Sequence, residues 1–422
     1  MTSIVYSGET TYNIRLREGA TFSFTDEDKE HLLSVNRKFI REFKVEPFRI
    51  DLHHNIALIN PGYVGVVRLY SKTIVIEPRF PAFNFQTILK MWLIVNSGHW
   101  NDRYFSLPDF EIETMHFLQD IARFYVNETL KVSKLGIIRD YVPATENTRF
   151  MKGRIDYVKT AQLIQNDRTV CHYDDFSQNI LLNQTVLYCL QKLLLFSSSD
   201  RRVSSQIMSA IKQFSGVNLR PQIVENEVDI IKLTRRESHY RFLLDLSKLV
   251  IKNANISDMG DTITFWGFLV DYNKLFEDFV KLILWHGFRN KISWWREPKD
   301  YASYTNEFGH SNLKRYIPDI LYLYDSNTNT ASAVIDVKNK MPDIFDNPDV
   351  FQITFYCRQL RSTRGILVYP SGSESTITKM NIWFPPSEGI SVFALTFPLC
   401  FSSRSEFERS VENFLSKATE IL

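Results

Sequence analysis

PDILYLYDSNTNTASAVIDVK, residues 318–338, reads as a β-hairpin with an acid at the open end of each strand. Two apolar runs, Ile320–Tyr324 and Ala331–Val337, flank the turn formers Asp325–Thr330. Pairing symmetric about that turn sets Asp319 directly opposite Asp336. Opposed residues in an antiparallel pair share a face, with Cβ atoms about 4.5–5.5 Å apart. Lys338, two positions beyond Asp336, points to the same face. Like charges so placed are destabilising unless a cation or Lys338 neutralises them. Hard carboxylate oxygens at an open site suit Mg²⁺ or Mn²⁺ rather than zinc. The chemistry such a site supports is attack of metal-activated water on a phosphodiester.

An acid-x-Lys triplet alone carries little weight, because Glu27-Asp28-Lys29, Glu42-Phe43-Lys44 and Glu297-Pro298-Lys299 also satisfy it. The surroundings of Asp336 set it apart. A helix is expected around LFEDFVKLILWHGF, then strands at KISWWRE, IPDILYLY and ASAVIDVK, a helix at VFQITFYCRQL and a strand at GILVYP. That αβββαβ order is a mixed α/β unit. Glu277 lies on the first of these helices amid Leu275, Phe276, Phe279 and Val280. It is either a third acid of the site or the solvent edge of an apolar stripe. Gln352 and Tyr356, four apart, share a face of the second helix, where their polar ends can orient a phosphate or a carboxylate.

Outward from this region the pattern changes twice. Residues up to about 100 alternate apolar with polar in SIVYS, TYNIRL, TFSFT, NIALI, GYVGVVRLY and KTIVIEPRF, which predicts a β-rich domain over 1–105. Helical spacing in FLQDIARFYVNETL, NILLNQTVLYCLQKLLLF and YRFLLDLSKLVIKNA predicts a mainly helical middle domain over 106–265. The α/β unit then fills 266–422, for an α+β multidomain chain.

With 422 residues, 44% hydrophobic and 23% charged, the chain has a globular composition. Lys and Arg total 50 against 48 Asp and Glu, too even a balance to hold nucleic acid by bulk charge, so any such contact is local or shared. No leader-like apolar segment or run of about 18 apolar residues occurs, which predicts a soluble cytoplasmic protein without a membrane partner. Cys171, Cys189, Cys357 and Cys400 form no CxxC pair and are expected to be reduced, buried thiols. His53-His54 in an extended segment would point to opposite faces, unable to share one ion. There is no GxxxxGK[ST], GxGxxG, HExxH or GxSxG, so the chain itself is not expected to bind a nucleotide through a P-loop.

Pro318-Asp319, Asp336-x-Lys338, the helical Glu277 and Gln352-x-x-x-Tyr356 together resemble the PD-(D/E)xK nuclease fold, in its variant with a QxxxY helix. The order of IEPRF (76–80), MKGRIDYVKT (151–160), YDDFSQNILLNQTVL (173–187), YNKLFEDFVKLIL (272–284), PDILYLY, VIDVKNK (334–340), FQITFYC and GILVYP further resembles the McrC family, from about residue 60 to 420. The family often has D-A-K-Y-K where this chain has Asp336-Val337-Lys338-Asn339-Lys340; the catalytic letters are intact. That resemblance implies Asp319, Asp336 and Glu277 as ligands of Mg²⁺ or Mn²⁺, Lys338 as the group orienting the attacking water, and Gln352 as support. It implies double-stranded DNA with modified cytosine as substrate and an McrB-like AAA+ GTPase hexamer as partner, with the middle domain as candidate contact. The alternatives are a non-catalytic adaptor that activates a AAA+ NTPase, and a freestanding defence or repair nuclease. Lys314, Arg315 and Tyr356 are the DNA-contact candidates, with Arg289, Lys291, Arg296 and Lys299 as further cations upstream, while Trp294 and Trp295 are expected in the sheet core.

Overall fold

The computed structural model describes residues 3–6, 9–17, 19–43, 46–78, 85–105, 117–163, 167–197, 200–257, 265–305, 311–340, 345–384 and 388–422. Arg79 and Phe80 of the family-like segment 76–80, and the expected domain boundary at 105/106 on its C-terminal side, lie outside them. The fold is mixed α/β, with twelve α-helices and several sheets among the described residues. Two compact units divide the chain. One joins Tyr12–Asp109 to Leu269–Leu422, and the other joins Thr2–Thr11 to Phe110–Phe268.

The first unit is centred on a six-stranded sheet in the order Ile292–Ser293, Ile320–Tyr322, Ala333–Val337, Arg364–Ser371, Glu388–Pro398, Ile377–Phe384. Its hairpin has the expected register: Ile320 faces Ile335, Leu321 faces Val334 and Tyr322 faces Ala333. On its other side Ala333–Val337 runs parallel to Arg364–Ser371, with Asp336 beside Leu367. The connection between those parallel strands is the helix Asn347–Gln359. Strands covered on both faces read as unbroken apolar runs, and Val334, Ile335, Ile366, Leu367 and Val368 are all buried. Ile353, Tyr356, Cys357 and Leu360 of the helix pack into the same core as Leu321, Val334 and Leu367.

Two details of the expected strands differ. The strand foreseen at KISWWRE is reduced to Ile292–Ser293. Trp294 is 44% exposed, and only Trp295 reaches the core, edge-on to Tyr316 and Tyr324. The first hairpin strand stops at Tyr322 because Leu323 turns to φ +47, outside the β region. A second hairpin, Lys299–Thr305 with Ser311–Tyr316, was not legible in the sequence, since its strands KDYASYT and SNLKRY are polar and largely exposed.

The N-terminal part of this unit carries further strands. Tyr12–Arg17 pairs parallel to Lys72–Glu77, which pairs antiparallel to the strand Tyr63–Arg68. The strand Ile56–Ile59 lies between Thr21–Ser23 and Phe48–Asp51. It also holds an unforeseen helix, Asp26–Phe43. Thr25 and Asp28 cap it reciprocally: Asp28 N donates to Thr25 Oγ1 at 3.2 Å and Thr25 N to Asp28 Oδ2 at 3.1 Å. Leu32, Val35 and Phe39 form its buried stripe.

The second unit has helices over Phe117–Lys134, Leu181–Phe196, Arg201–Gln213 and Arg241–Asn253. It additionally contains a three-stranded sheet in which Asp140–Thr148 pairs along the whole of Thr169–Ser177. Asp140–Thr148 is mostly polar and Thr169–Ser177 buries the adjacent Val170 and Cys171, so neither strand alternates. Cys171, Cys189 and Cys357 are buried free thiols, whereas Cys400 is exposed, contrary to expectation. His54 turns back to Asp51 at 2.8 Å in a turn rather than an extended segment. No described helix is long and apolar enough to cross a membrane.

The helix Asn347–Gln359 lies close against its neighbouring strand at Gly365. A Cβ there would sit 2.7 Å from Ile353 Cγ1 and 3.2 Å from Cys357 Sγ. Gly365→Ala is therefore expected to lower stability by about 1–3 kcal/mol through overpacking. Chemical denaturation measures this, and unchanged stability would mean that the helix is not seated on this glycine.

Candidate active site

Hairpin pairing delivers Asp319 and Asp336 to the same edge of the sheet. Asp319 precedes the first strand, and its Oδ2 accepts from Val337 N at 2.7 Å, which continues the strand register by one side-chain contact. Asp336 is 2% exposed. Burial first, then the Asp336 and Glu277 charges, push Asp319 up to about 7. Asp336 is also raised, by burial, although Lys338 pulls in the other direction. The Asp336 charge bears directly on Asp319, so the two titrate together and their protons belong to the pair.

Lys338 faces the pair. Its Nζ lies 2.5 Å from Asp336 Oδ2 and donates to Gln352 Oε1 at 2.7 Å. That ammonium covers the buried Asp336 Oδ2. Burial disfavours the Lys338 ammonium, but Asp336 outweighs it and the pKa rises, keeping the lysine charged. Gln352 Nε2 donates to Tyr356 OH at 2.7 Å, confirming the shared helix face. Tyr356 itself is buried in the core, with its hydroxyl raised by burial and by both aspartates.

The helix Tyr272–Phe288 brings Glu277 to this edge, close enough to raise Asp319. Burial penalises its charge, yet hydrogen bonds from Lys274, at 2.8 Å, and Lys281 hold it below its ordinary pKa. Glu277 thus arrives with two lysines of its own. Among the described residues no three acidic, His or Cys side chains are grouped to hold one ion. The groups that could hold a metal are Asp319 and Asp336. Two neighbouring buried carboxylates fit the donor set of Mg²⁺, which commonly takes one or two carboxylates and fills its remaining positions with water and phosphate.

Sequence reading missed a second cluster beside the first. Lys340, one alternation past Lys338, pairs with Asp346 and Asp349, each at 2.7 Å. The buried Asp349 also accepts from Tyr369 OH at 3.0 Å. Both clusters open on a cavity of about 670 Å³ lined in part by Lys274, Glu277, Lys338, Lys340 and Asp349. Asp349 follows a helix-opening proline, where an acid reads simply as a helix-terminal charge, so no sequence signal marked it. Of the remaining cations, Lys314 and Arg315 are exposed on the strand Ser311–Tyr316, where Arg315 Nε donates to Asp300 at 2.8 Å. Lys299 stacks over Trp295, 3.9 Å from the ring centroid.

Residues 59–370 match the family described as McrBC 5-methylcytosine restriction system component. The Type IV methyl-directed restriction enzyme EcoKMcrBC of Escherichia coli (strain K12) is 24% identical over 143 residues, 32% of this chain. The matched stretch spans 40% of that relative's length. Among solved structures, a refined half-complex from the tetradecameric assembly of Thermococcus gammatolerans McrB AAA+ hexamers with bound McrC contains a chain of similar fold. The TM-score is 0.62 at 15% identity, over 97% of this chain and all of that one. The cryo-EM structure of the T. gammatolerans McrBC complex overlaps 68% of this chain and 89% of its own, at 16% identity and a TM-score of 0.45.

The aspartate pair predicts a pH signature in stability. Folding raises the Asp319 pKa, so the folded state keeps a proton that the unfolded state has released. The contribution of Asp319 to stability then falls as pH rises from about 4 to about 7 and stays at the lower level above. Asp319→Asn lacks that loss. At pH 8 without divalent cations it is expected to be more stable than wild type by on the order of 1–3 kcal/mol, with the gap closing by about pH 4. A gap that widened on acidification in urea titrations would rule out the shared-proton pair.

Proposed function

This chain belongs to the McrBC 5-methylcytosine restriction system component family, as an McrC-type protein, and we propose that it is the metal-dependent DNA endonuclease subunit of such a system. The observation that carries the proposal is the buried Asp319–Asp336 pair facing Lys338 at one edge of a mixed sheet. We assign the unit around it to the PD-(D/E)xK nuclease type, with a C-terminal nuclease domain over 266–422. Asp319 and Asp336 would hold Mg²⁺ or Mn²⁺, which when bound supplies positive charge for activating water and for the developing phosphoryl charge.

The chain's own residues divide the remaining work. Lys338, kept charged by Asp336 and aimed by Gln352, holds the attacking water against the scissile phosphate. Tyr356 fixes the Gln352 amide, so Gln352 cannot swing away from the lysine. Glu277 with Lys274 and Lys281 sets the field around Asp319. Lys314 and Arg315, exposed on their strand, are assigned to phosphate contacts along double-stranded DNA carrying modified cytosine.

The partner we assign is an McrB-like AAA+ GTPase hexamer, whose hydrolysis this chain would stimulate through the region 106–265. That region exposes Phe150, Met151, Tyr157 and Val158 within a short segment, the kind of apolar surface that marks a protein contact.

Asp336→Ala or Lys338→Ala is expected to reduce Mg²⁺-dependent cleavage by the reconstituted complex at least ~100-fold while leaving partner GTP hydrolysis intact. Cleavage that persisted in Asp336→Ala would leave only the docking role. Because protons compete with the cation for the aspartates, cleavage should fall as pH drops below about 7, and higher Mg²⁺ should move that limb to lower pH. A limb insensitive to Mg²⁺ would separate the metal from the pair. Charge reversal of Lys314 and Arg315 to Glu should weaken cleavage and flatten its salt dependence; an unaltered salt slope would remove them from the interface.

A further inference from the structure

The cavity beside Lys338 has walls of different sequence origin. One is the strand end Val337–Lys340, and the other includes Asn60, Pro61 and Tyr63 at the start of the strand Tyr63–Arg68. Between them lies Asn273, in the first turn of the helix Tyr272–Phe288. Gly62 O accepts from Tyr272 N at 2.8 Å, which seats the start of that helix on the loop. Gly62 adopts φ +98, where side chains rarely sit, and a Cβ there would lie 2.1 Å from Asn273 Nδ2. Glycine is therefore what lets the Asn273 amide lie flat on the loop. The other atom of that amide, Oδ1, accepts from Asn339 Nδ2 at 2.8 Å.

Asn339 directly follows Lys338, at a point where sheet pairing has run out. The strand ends at Val337, and Lys338 N makes one further ladder-like bond, to Val368 O at 2.8 Å. An ammonium on a flexible four-carbon stem can stay aimed between Asp336 and Gln352 only if its backbone is held. The loop that does the holding is itself anchored: Tyr63 is buried and packs edge-on to Phe39 with ring centroids 5.8 Å apart.

We propose that Asn273 is a positioning residue for the nuclease centre. It clamps Asn339 to the loop 60–63 and thereby fixes the backbone that carries Lys338, which gives the N-terminal β-rich segment a part in cleavage. The proposal rests on the nuclease reading above.

In the reconstituted full-length complex, Asn273→Ala and Asn339→Ala are each expected to lower kcat for DNA cleavage about tenfold without changing KM. The double variant should be no worse than either single, because the two act through one contact. Asn273→Asp keeps the accepting oxygen and should stay within about twofold of wild type. Hydrogen exchange of the Lys338 amide, read on the chain alone without DNA or metal, should quicken in both Ala variants and not in Asn273→Asp. Wild-type kcat with unaltered exchange in the Ala variants would overturn the clamp, as would losses confined to KM or thermal stability. Asp336→Ala serves as the control. If it is inactive while Asn273→Ala is fully active, the clamp fails and the nuclease reading stands. If it still cleaves, the nuclease reading fails, and amide exchange alone decides the clamp.

Discussion

Two carboxylates buried against each other, with one ammonium between them and the helix amide of Gln352, set the terms for the whole C-terminal region. Desolvation disfavours each charge and raises both aspartates; the Asp336 charge adds to the shift of Asp319, and the Asp349 charge to that of Asp336. Lys338 neutralises only one of the two. Glu277 adds to the charge felt by Asp319, although Lys274 and Lys281 accompany it. A site left with net negative charge in a buried position costs stability, and such an arrangement persists where its charge has a use.

How much of this was legible depends on how local each contact is. The hairpin register was readable because a symmetric turn and a period of two fix every opposed pair at once, and Ile320–Ile335 through Tyr322–Ala333 follow it. Gln352 and Tyr356 were readable because helical spacing alone puts them together. The Lys340–Asp349–Tyr369 cluster was not, since three separate elements meet there. Nor was the approach of Gly62 to Asn273, across some two hundred positions of chain. The helix Asp26–Phe43 was overlooked because its acidic opening looks like a solvated loop, although the reciprocal Thr25–Asp28 cap was written in the sequence. Strands such as Asp140–Thr148 left no trace, because with much of both faces in water they need no alternation.

Topology explains why the acids, lysines and amide converge. Ala333–Val337 is antiparallel to one neighbour and parallel to the other. The antiparallel neighbour starts where Ala333–Val337 ends, so the acid before its first residue, Asp319, arrives beside Val337. The parallel neighbour requires a crossover helix, and that helix departs from the same edge. Its first two turns therefore bring Asp349 and Gln352 alongside Lys340 and Lys338. Ligand sites in open α/β sheets gather at the carboxyl ends of strands for the same geometric reason. Were the hairpin strand instead parallel, Asp319 would sit at the opposite edge, and no second carboxylate would face Asp336. The mixed pairing of one short strand is thus what allows a two-acid centre to form here.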